Sequence, residues 1–410
     1  MPSILRQLAA AAKGRMFAPD SFSGSDFGFR IGKVIFKIGD GLKTSRRRIR
    51  RWLRSPALAR RMTRFRQSVE KREWTAALEQ AREIATLAEA ARDARLMEEM
   101  GIALSRLGDY GRSGRLRLES RRLARGADPK EWSGEDVPGT LLVNFVENEA
   151  QGMSGTLQYG RFVAEAAKRV KRCIALIEPR LAPLFGRSFA NVDVRAASAG
   201  NKTAAYAEAD KIAGFEHVNA YCGADAEAVA RSFVPLRPEA KIVEELSARY
   251  RGSGDKPLIG ISWGSSAYAK DTPELDDWIA LIASVDAKFV SLQYGKVTGE
   301  LARLAAGSQK TIINDASVDQ LTNMDRFAAQ IVSLDAVVTI SNTGAHLTGA
   351  LGVPVIIIID DNFRRIWPVG TDRTPYYPAA TIVAKNGRGW AAVMEEVEKR
   401  LGQMLASHRR

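Results

Sequence analysis

The stretch from Leu334 to Pro354 constrains the fold most. It reads Leu-Asp-Ala-Val-Val-Thr-Ile-Ser-Asn-Thr-Gly-Ala-His-Leu-Thr-Gly-Ala-Leu-Gly-Val-Pro. Ala336–Ser341 has no polar face, so it reads as a strand covered on both sides, as in a parallel sheet. A short polar turn, Asn342-Thr343-Gly344, leads at once into a helix over Ala345–Leu351, which Gly352 and Pro354 stop. A strand that turns directly into a helix sets the unpaired N–H groups of the first turn, and the positive end of the helix dipole, above the strand end. Gly344 lets an anion approach the backbone, and the Thr343 hydroxyl can donate to a phosphate oxygen. The same residues also describe an ordinary helix capped by Asn342 or Thr343 with no ligand at all.

The rest of the chain repeats the strand–helix rhythm. After a polar connector with two prolines, Ala127–Gly139, strands are expected at Thr140–Phe145, Cys173–Ile177 and Val192–Val194. Helices are expected between them at Thr156–Lys171 and Pro179–Phe185. A second connector, Gly252–Lys256, precedes strands at Leu258–Trp263, Lys288–Gln293, Lys310–Ile313 and Val353–Ile359 and helices at Asp276–Ser284, Met324–Leu334 and Gly389–Leu405. This pattern predicts an α/β protein with two Rossmann-like parallel-sheet domains, 138–252 and 256–405, facing a cleft. Residues 65–128 have helical periodicity. Trp74 and Tyr110 stand 36 residues apart at equivalent points, and Met100-Gly101, Leu104, Leu107-Gly108 and Tyr110 resemble the tetratricopeptide pattern. A plain helical hairpin is the alternative.

Charge is concentrated at one end. Residues 1–72 hold 19 Lys/Arg against 4 Asp/Glu, a net of +15 out of +14 for the whole chain, so the remainder is nearly neutral at −1. A basic arm, residues 1–64, therefore precedes the folded body. With Ile49, Trp52, Leu53, Leu58, Met62 and Phe65 among the arginines, residues 1–72 can lie on an anionic membrane surface. A solvated arm, or a helix packed on the next domain, is the other reading. Because the basicity is confined to this segment, nucleic acid is not expected as a partner. Two cysteines and three histidines spell out neither a disulfide framework nor a metal cluster. No apolar run is long enough to span a bilayer, and the N-terminus lacks a signal-peptide pattern. A cytoplasmic location is expected, with the arm peripheral on the inner face of the membrane as an option.

The run Ser341-Asn342-Thr343-x-x-His346-Leu-x-Gly-Ala-Leu-Gly-x-Pro resembles the signature of the tetratricopeptide-linked glycosyltransferases related to bacterial heptosyltransferases (family 9) and O-linked N-acetylglucosamine transferases (family 41). Ile259-Gly-Ile-Ser-Trp263-Gly264, Phe289-Val-Ser-Leu-Gln293-Tyr294, Tyr376-Tyr377-Pro378 and Gly389-Trp390 follow that pattern in order. Nearer the N-terminus, Trp132-Ser-Gly-Glu, Glu149-Ala-Gln151-Gly152 and Gln158-Tyr159-Gly-Arg161-Phe162 resemble it more loosely. The resemblance implies a GT-B type fold, a nucleotide-sugar donor on the C-terminal domain and a hydroxyl acceptor (saccharide, lipid or protein) on the N-terminal one. It implies inverting displacement with no cofactor or metal, as in polysaccharide biosynthesis. Thr343–Gly344 would hold the diphosphate, with Lys270 or Arg365 as the accompanying cation. His346 would touch the donor or sit in the core. Trp263 and Gln293 would end strands facing the cleft, with core packing the alternative for Trp263.

One departure bears on catalysis. Where the family carries an acid in the first loop, this chain has Gly155, which cannot accept a proton. General-base help is worth about 10²–10⁴ in rate. Glu147 and Glu149 lie in the same loop and could replace the acid, or could be solvated loop charges. Asn342 also stands where some relatives have Asp. Two readings result: an active glycosyltransferase, or a glycosyltransferase-like binding and scaffold protein that has lost turnover.

Overall fold

The computed structural model describes residues 56–146, 152–252, 254–265, 270–361 and 367–408. Residues 1–55 of the proposed basic arm, Glu147, Glu149 and Arg365 therefore lie outside the described residues, while arm residues 56–64 open the helix Pro56–Glu70. Everything from Arg61 onward forms one compact unit.

Among the described residues four helices come first: α1 (Pro56–Glu70), α2 (Trp74–Ala91), α3 (Ala94–Arg106) and α4 (Tyr110–Arg125). On α2 the buried Ala77, Ala81, Ile84, Ala85 and Ala88 make one apolar stripe at helical spacing. Asp93 and Asp109 cap α3 and α4 by accepting from the N–H groups of Leu96 and Arg112. Trp74 and Tyr110, the residues of the weak repeat, each open a helix.

The N-terminal half comprises β1 (Val137–Asn144), α5 (Gly152–Tyr159), α6 (Phe162–Ala167), β2 (Val170–Ile177), α7 (Ala182–Ser188), β3 (Asp193–Ala196), α8 (Ala199–Glu208), β4 (Lys211–Gly214), α9 (Phe215–Cys222), α10 (Ala226–Arg231) and α11 (Ala240–Arg251). Its sheet is parallel, in the order β3-β2-β1-β4. The C-terminal half comprises β5 (Leu258–Ser262), α12 (Leu275–Ser284), β6 (Lys288–Ser291), α13 (Thr298–Ser308), β7 (Ile312–Ile313), α14 (Met324–Val332), β8 (Ala336–Ile340), α15 (Thr343–Leu351), β9 (Val355–Ile359), β10 (Ala380–Ala384) and α16 (Trp390–His408). Its sheet is also parallel, in the order β10-β9-β8-β5-β6-β7. That order runs outward in both directions from the β5/β8 pair. The crevice at the C-terminal ends of these two strands is the topological switch point, where open α/β sheets bind ligands.

The two-sheet architecture is the one expected from the rhythm, with local differences. The single helix expected over Thr156–Lys171 breaks at Gly160–Arg161. A Cβ on Gly160 would meet the Phe185 ring, so the chain needs glycine for close packing there. Val170, expected on a helix face, instead starts β2. The connector Ala127–Gly139 is pinned to the sheet, since Trp132 N donates to Ile212 O and Ile212 N to Lys130 O. Residues of both halves, from Tyr159 and Phe162 to Leu347, Tyr376 and Tyr377, belong to one continuous core.

Candidate functional site

The site is built where β5 and β8 end side by side. β8 stops at Ile340, and Asn342 takes extended backbone geometry and caps α15 by accepting from Ala345 N–H at 3.0 Å. Its amide donates across the switch point to Ser262 Oγ at 3.0 Å and Gly264 O at 3.4 Å. The cap thus ties the β8 turn to the β5 turn. Thr343 and Gly344 occupy the first two helical positions, whose N–H groups have no acceptor within the helix. The structure starts the helix at Thr343, two residues before the sequence reading did, because Asn342 supplies the cap.

Gln293, after β6, braces the neighbouring turn. Its Oε1 accepts from Gly264 N–H at 2.7 Å and from the Ser262 hydroxyl at 3.1 Å. It holds the loop rather than lining an open space. Lys270 donates to the carbonyl oxygen of Ser341 and, at 3.3 Å, to Ser265 Oγ. Burial pushes the Lys270 pKa down, with the charge of Asp360 opposing that shift. A partly desolvated ammonium therefore stands beside the helix start. From the opposite half, Ser154 on α5 brings its Oγ to 3.4 Å from Thr343 Oγ1.

His346 lies one turn into α15. It is 2% exposed, stacks on Trp367 with centroids 4.8 Å apart, and its Nδ1 is 2.8 Å from the Tyr377 hydroxyl. Burial depresses its pKa to about 3, with the Lys270 charge adding to the effect, so the ring is neutral near pH 7. Of the two alternatives, these contacts give His346 the place of a satisfied core histidine behind the site. Trp367 in turn donates its indole N–H to Ser341 Oγ at 2.8 Å. Trp263 goes the same way: it is buried in the second core cluster with Trp278 and Phe289, and its indole donates to Glu300 at 2.7 Å. Packing, not the cleft, accounts for it.

The structure thus brings Ser341, Asn342, Thr343, Gly344, Lys270 and Gln293 together, and sets His346 and Trp263 in the core around them. Sequence reasoning did not single out Ser262, Ser154 or Trp367. A polar Ser262 at the end of an apolar strand was the available signal for the first; nothing local marked the other two. Gly155 is buried within α5.

No sequence-family profile matches the chain. The chain is 26% identical over 300 residues to protein FlbA of Caulobacter vibrioides, an alignment covering 67% of this chain and 48% of that protein. It therefore spans about half the length of the curated relative it matches. Among solved structures, it is similar to a family 9 glycosyl transferase from Veillonella parvula (TM-score 0.48, 12% identity, 68% of this chain and 100% of the other). It is likewise similar to Escherichia coli ADP-heptose lipopolysaccharide heptosyltransferase II (TM-score 0.47, 11% identity, 66% and 100%). An O-GlcNAc transferase from Thermobaculum terrenum aligns over 85% of this chain and 91% of its own, with a TM-score of 0.32 and 10% identity.

Proposed function

We propose that the protein binds a nucleotide sugar at the β5–β8 switch point and transfers the sugar to a hydroxyl acceptor by inverting displacement. The observation that carries this reading is the start of α15, where Asn342 caps Ala345 N–H, the N–H groups of Thr343 and Gly344 have no acceptor within the helix, and the Lys270 ammonium stands beside them on Ser341 O. Negative charge grows on the diphosphate as the sugar leaves. Fixed donors and a desolvated cation stabilise that charge more than they do the ground state. The Thr343 hydroxyl adds a donor to one phosphate oxygen. Arg365 would be a second cation and Glu149 or Glu147 the base, and all three lie outside the described residues. Saccharide, lipid and protein hydroxyls all suit the reading, and docking of residues 1–72 on an anionic membrane surface remains part of the proposal.

A second reading is binding without turnover, and Gly155 favours it, because the first loop then lacks the acid that would activate the acceptor. Two measurements separate the readings. A panel of nucleotide sugars is tested for thermal stabilisation and for release of nucleoside diphosphate with cell-extract acceptors. Stabilisation with release supports transfer; stabilisation without release supports the binding module; no nucleotide binding excludes both. Thr343→Val is expected to weaken nucleotide binding about tenfold, the worth of one hydrogen bond to a charged group. Lys270→Met should weaken it further and should flatten its dependence on ionic strength.

A further inference from the structure

Arg161 carries a charge that the described structure leaves uncompensated. It sits in the break between α5 and α6, is 4% exposed, and among the described residues neither its Nε nor its Nη1 meets a hydrogen-bond acceptor. Its surroundings are aromatic. The guanidinium carbon lies 4.9 Å from the ring centroid of Phe233, 5.4 Å from Tyr377 and 5.9 Å from Tyr376. The other buried arginine nearby, Arg117, is treated differently: Glu98 accepts from it at 3.0 Å and the Tyr159 hydroxyl lies 3.5 Å away. Burial pushes the Arg161 pKa down to about 10.

Ring contacts return about 0.5–2 kcal/mol each to a guanidinium. Burying an unpaired ion costs several kcal/mol, and an apolar side chain of similar volume is often the more stable occupant. A charge kept at such a place is explained by a ligand that neutralises it. The cage is also assembled by both halves. Arg161 comes from the N-terminal half and Tyr376 and Tyr377 from the C-terminal one, while Phe233, in the stretch between α10 and α11, lies beside Gly352 at the end of α15. Tyr377 reaches His346, so the cage flanks α15 but is separate from its first turn.

We propose that Arg161 anchors an anionic group, a carboxylate or a phosphate, borne by the acceptor and taken up between the two halves. This rests on the transfer reading above and narrows the acceptor to an acidic or phosphorylated hydroxyl compound. The donor diphosphate has its own site at the helix start, and Arg161 belongs to the half that the acceptor would occupy.

The test is the thermal midpoint of wild type, Arg161→Met and Arg161→Lys, each alone and titrated with inorganic phosphate, D-glucuronate or neutral D-glucose. Without ligand, Arg161→Met should melt about 2 °C or more above wild type, since an uncompensated charge is gone. Phosphate, glucuronate or both should raise the wild-type midpoint, glucose should not, and Arg161→Met should lose the glucuronate rise and most of the phosphate rise, what is left of the latter belonging to the start of α15. Which anion acts distinguishes a phosphorylated from a carboxylated acceptor. Arg161→Lys should keep a reduced rise, and it carries the test if the methionine variant does not fold. A lower midpoint for folded Arg161→Met would make the arginine a structural pin and overturn the proposal. An anion response equal in wild type and in the variants that fold would overturn it as well. Nucleoside diphosphate binding, measured on the same samples, reports separately on the transfer reading: its absence with the anion response intact removes the donor site and leaves the Arg161 site standing.

Discussion

His346 shows how a residue type readable from the sequence can take its role from partners far along the chain. The sequence places a histidine one turn into α15, where a donor contact is natural. Trp367 and Tyr377, 21 and 31 positions further on, enclose it instead. The consequence is a pH dependence. In the unfolded chain His346 titrates near 6.5, and in the folded one near 3, because burial opposes the charged form. Its contribution is fully present above pH 6.5 and is lost progressively as pH falls toward 3. At pH 5 the loss from this ring alone is about 2 kcal/mol. Burial also lowers the pKa of His217, which adds in the same direction. The thermal midpoint of wild type should therefore fall more between pH 7 and pH 5 than that of His346→Phe, which keeps a ring against Trp367 but cannot titrate. Equal slopes would mean that His346 is not held neutral by the fold.

At the scale of elements, long apolar strands and strongly periodic helices were legible, as were the edge strands β3 and β7, but the edge strands β4 and β10 were not. β8, β9 and α14 could be read because one face pattern persists for a full element. β4 has four residues, opens on Lys211 and follows Asp210, so nothing in it looks like a strand until β1 pairs with it. Although the start of α15 was read two residues late, its Asn342 cap was legible: capping is local chemistry, settled within three residues. Helix packing is less visible, although glycine leaves a trace of it. On α4, a Cβ at Gly111 would overlap the carbonyl of Ala224, in the turn just after α9, and one at Gly114 would lie 2.8 Å from Ala220 Cα, so α4 rests backbone to backbone on α9 and the turn that follows it. Gly111→Val should push α4 away from the turn after α9 and cost about 3 kcal/mol or more in denaturant unfolding. Gly402, inside α16, is exposed and has open space around its Cβ position. Gly402→Ala should raise stability by up to ~1 kcal/mol. If the two substitutions had similar effects, the close α4–α9 contact would be absent in solution.

For the whole molecule, the sequence gives a short helical segment followed by two α/β halves, and the periodicities distinguish those three parts well. What periodicity cannot show is that the helices join both halves. Arg121 pairs with Glu216 on α9 at 2.5 Å, and Arg122 reaches Glu131 at 3.0 Å and the Tyr221 hydroxyl at 3.2 Å. Those contacts fasten α4 to the N-terminal half. Toward the other half, Val369 N donates to Arg106 O at 2.9 Å, and Tyr110 meets the Tyr376 ring edge-on at 5.8 Å. Tyr376 is packed in turn against Tyr159 at 5.7 Å and beside Arg161. One aromatic junction thus receives residues from all three parts, and α4 closes its outer side. Leu116 and Leu118 of α4 are buried as fully as core residues, each worth about 1.5–3 kcal/mol. A chain beginning at Ala127 should therefore unfold at a clearly lower temperature than the full chain and bind a hydrophobic-surface dye, with Tyr376 and the face of α9 uncovered. It should also lose anion-dependent stabilisation, because the Arg161 cage borrows Tyr376 from that junction. A truncated chain with the full-length midpoint and an intact anion response would show the helices to be an independent appendage, and the junction to be held by the two halves alone.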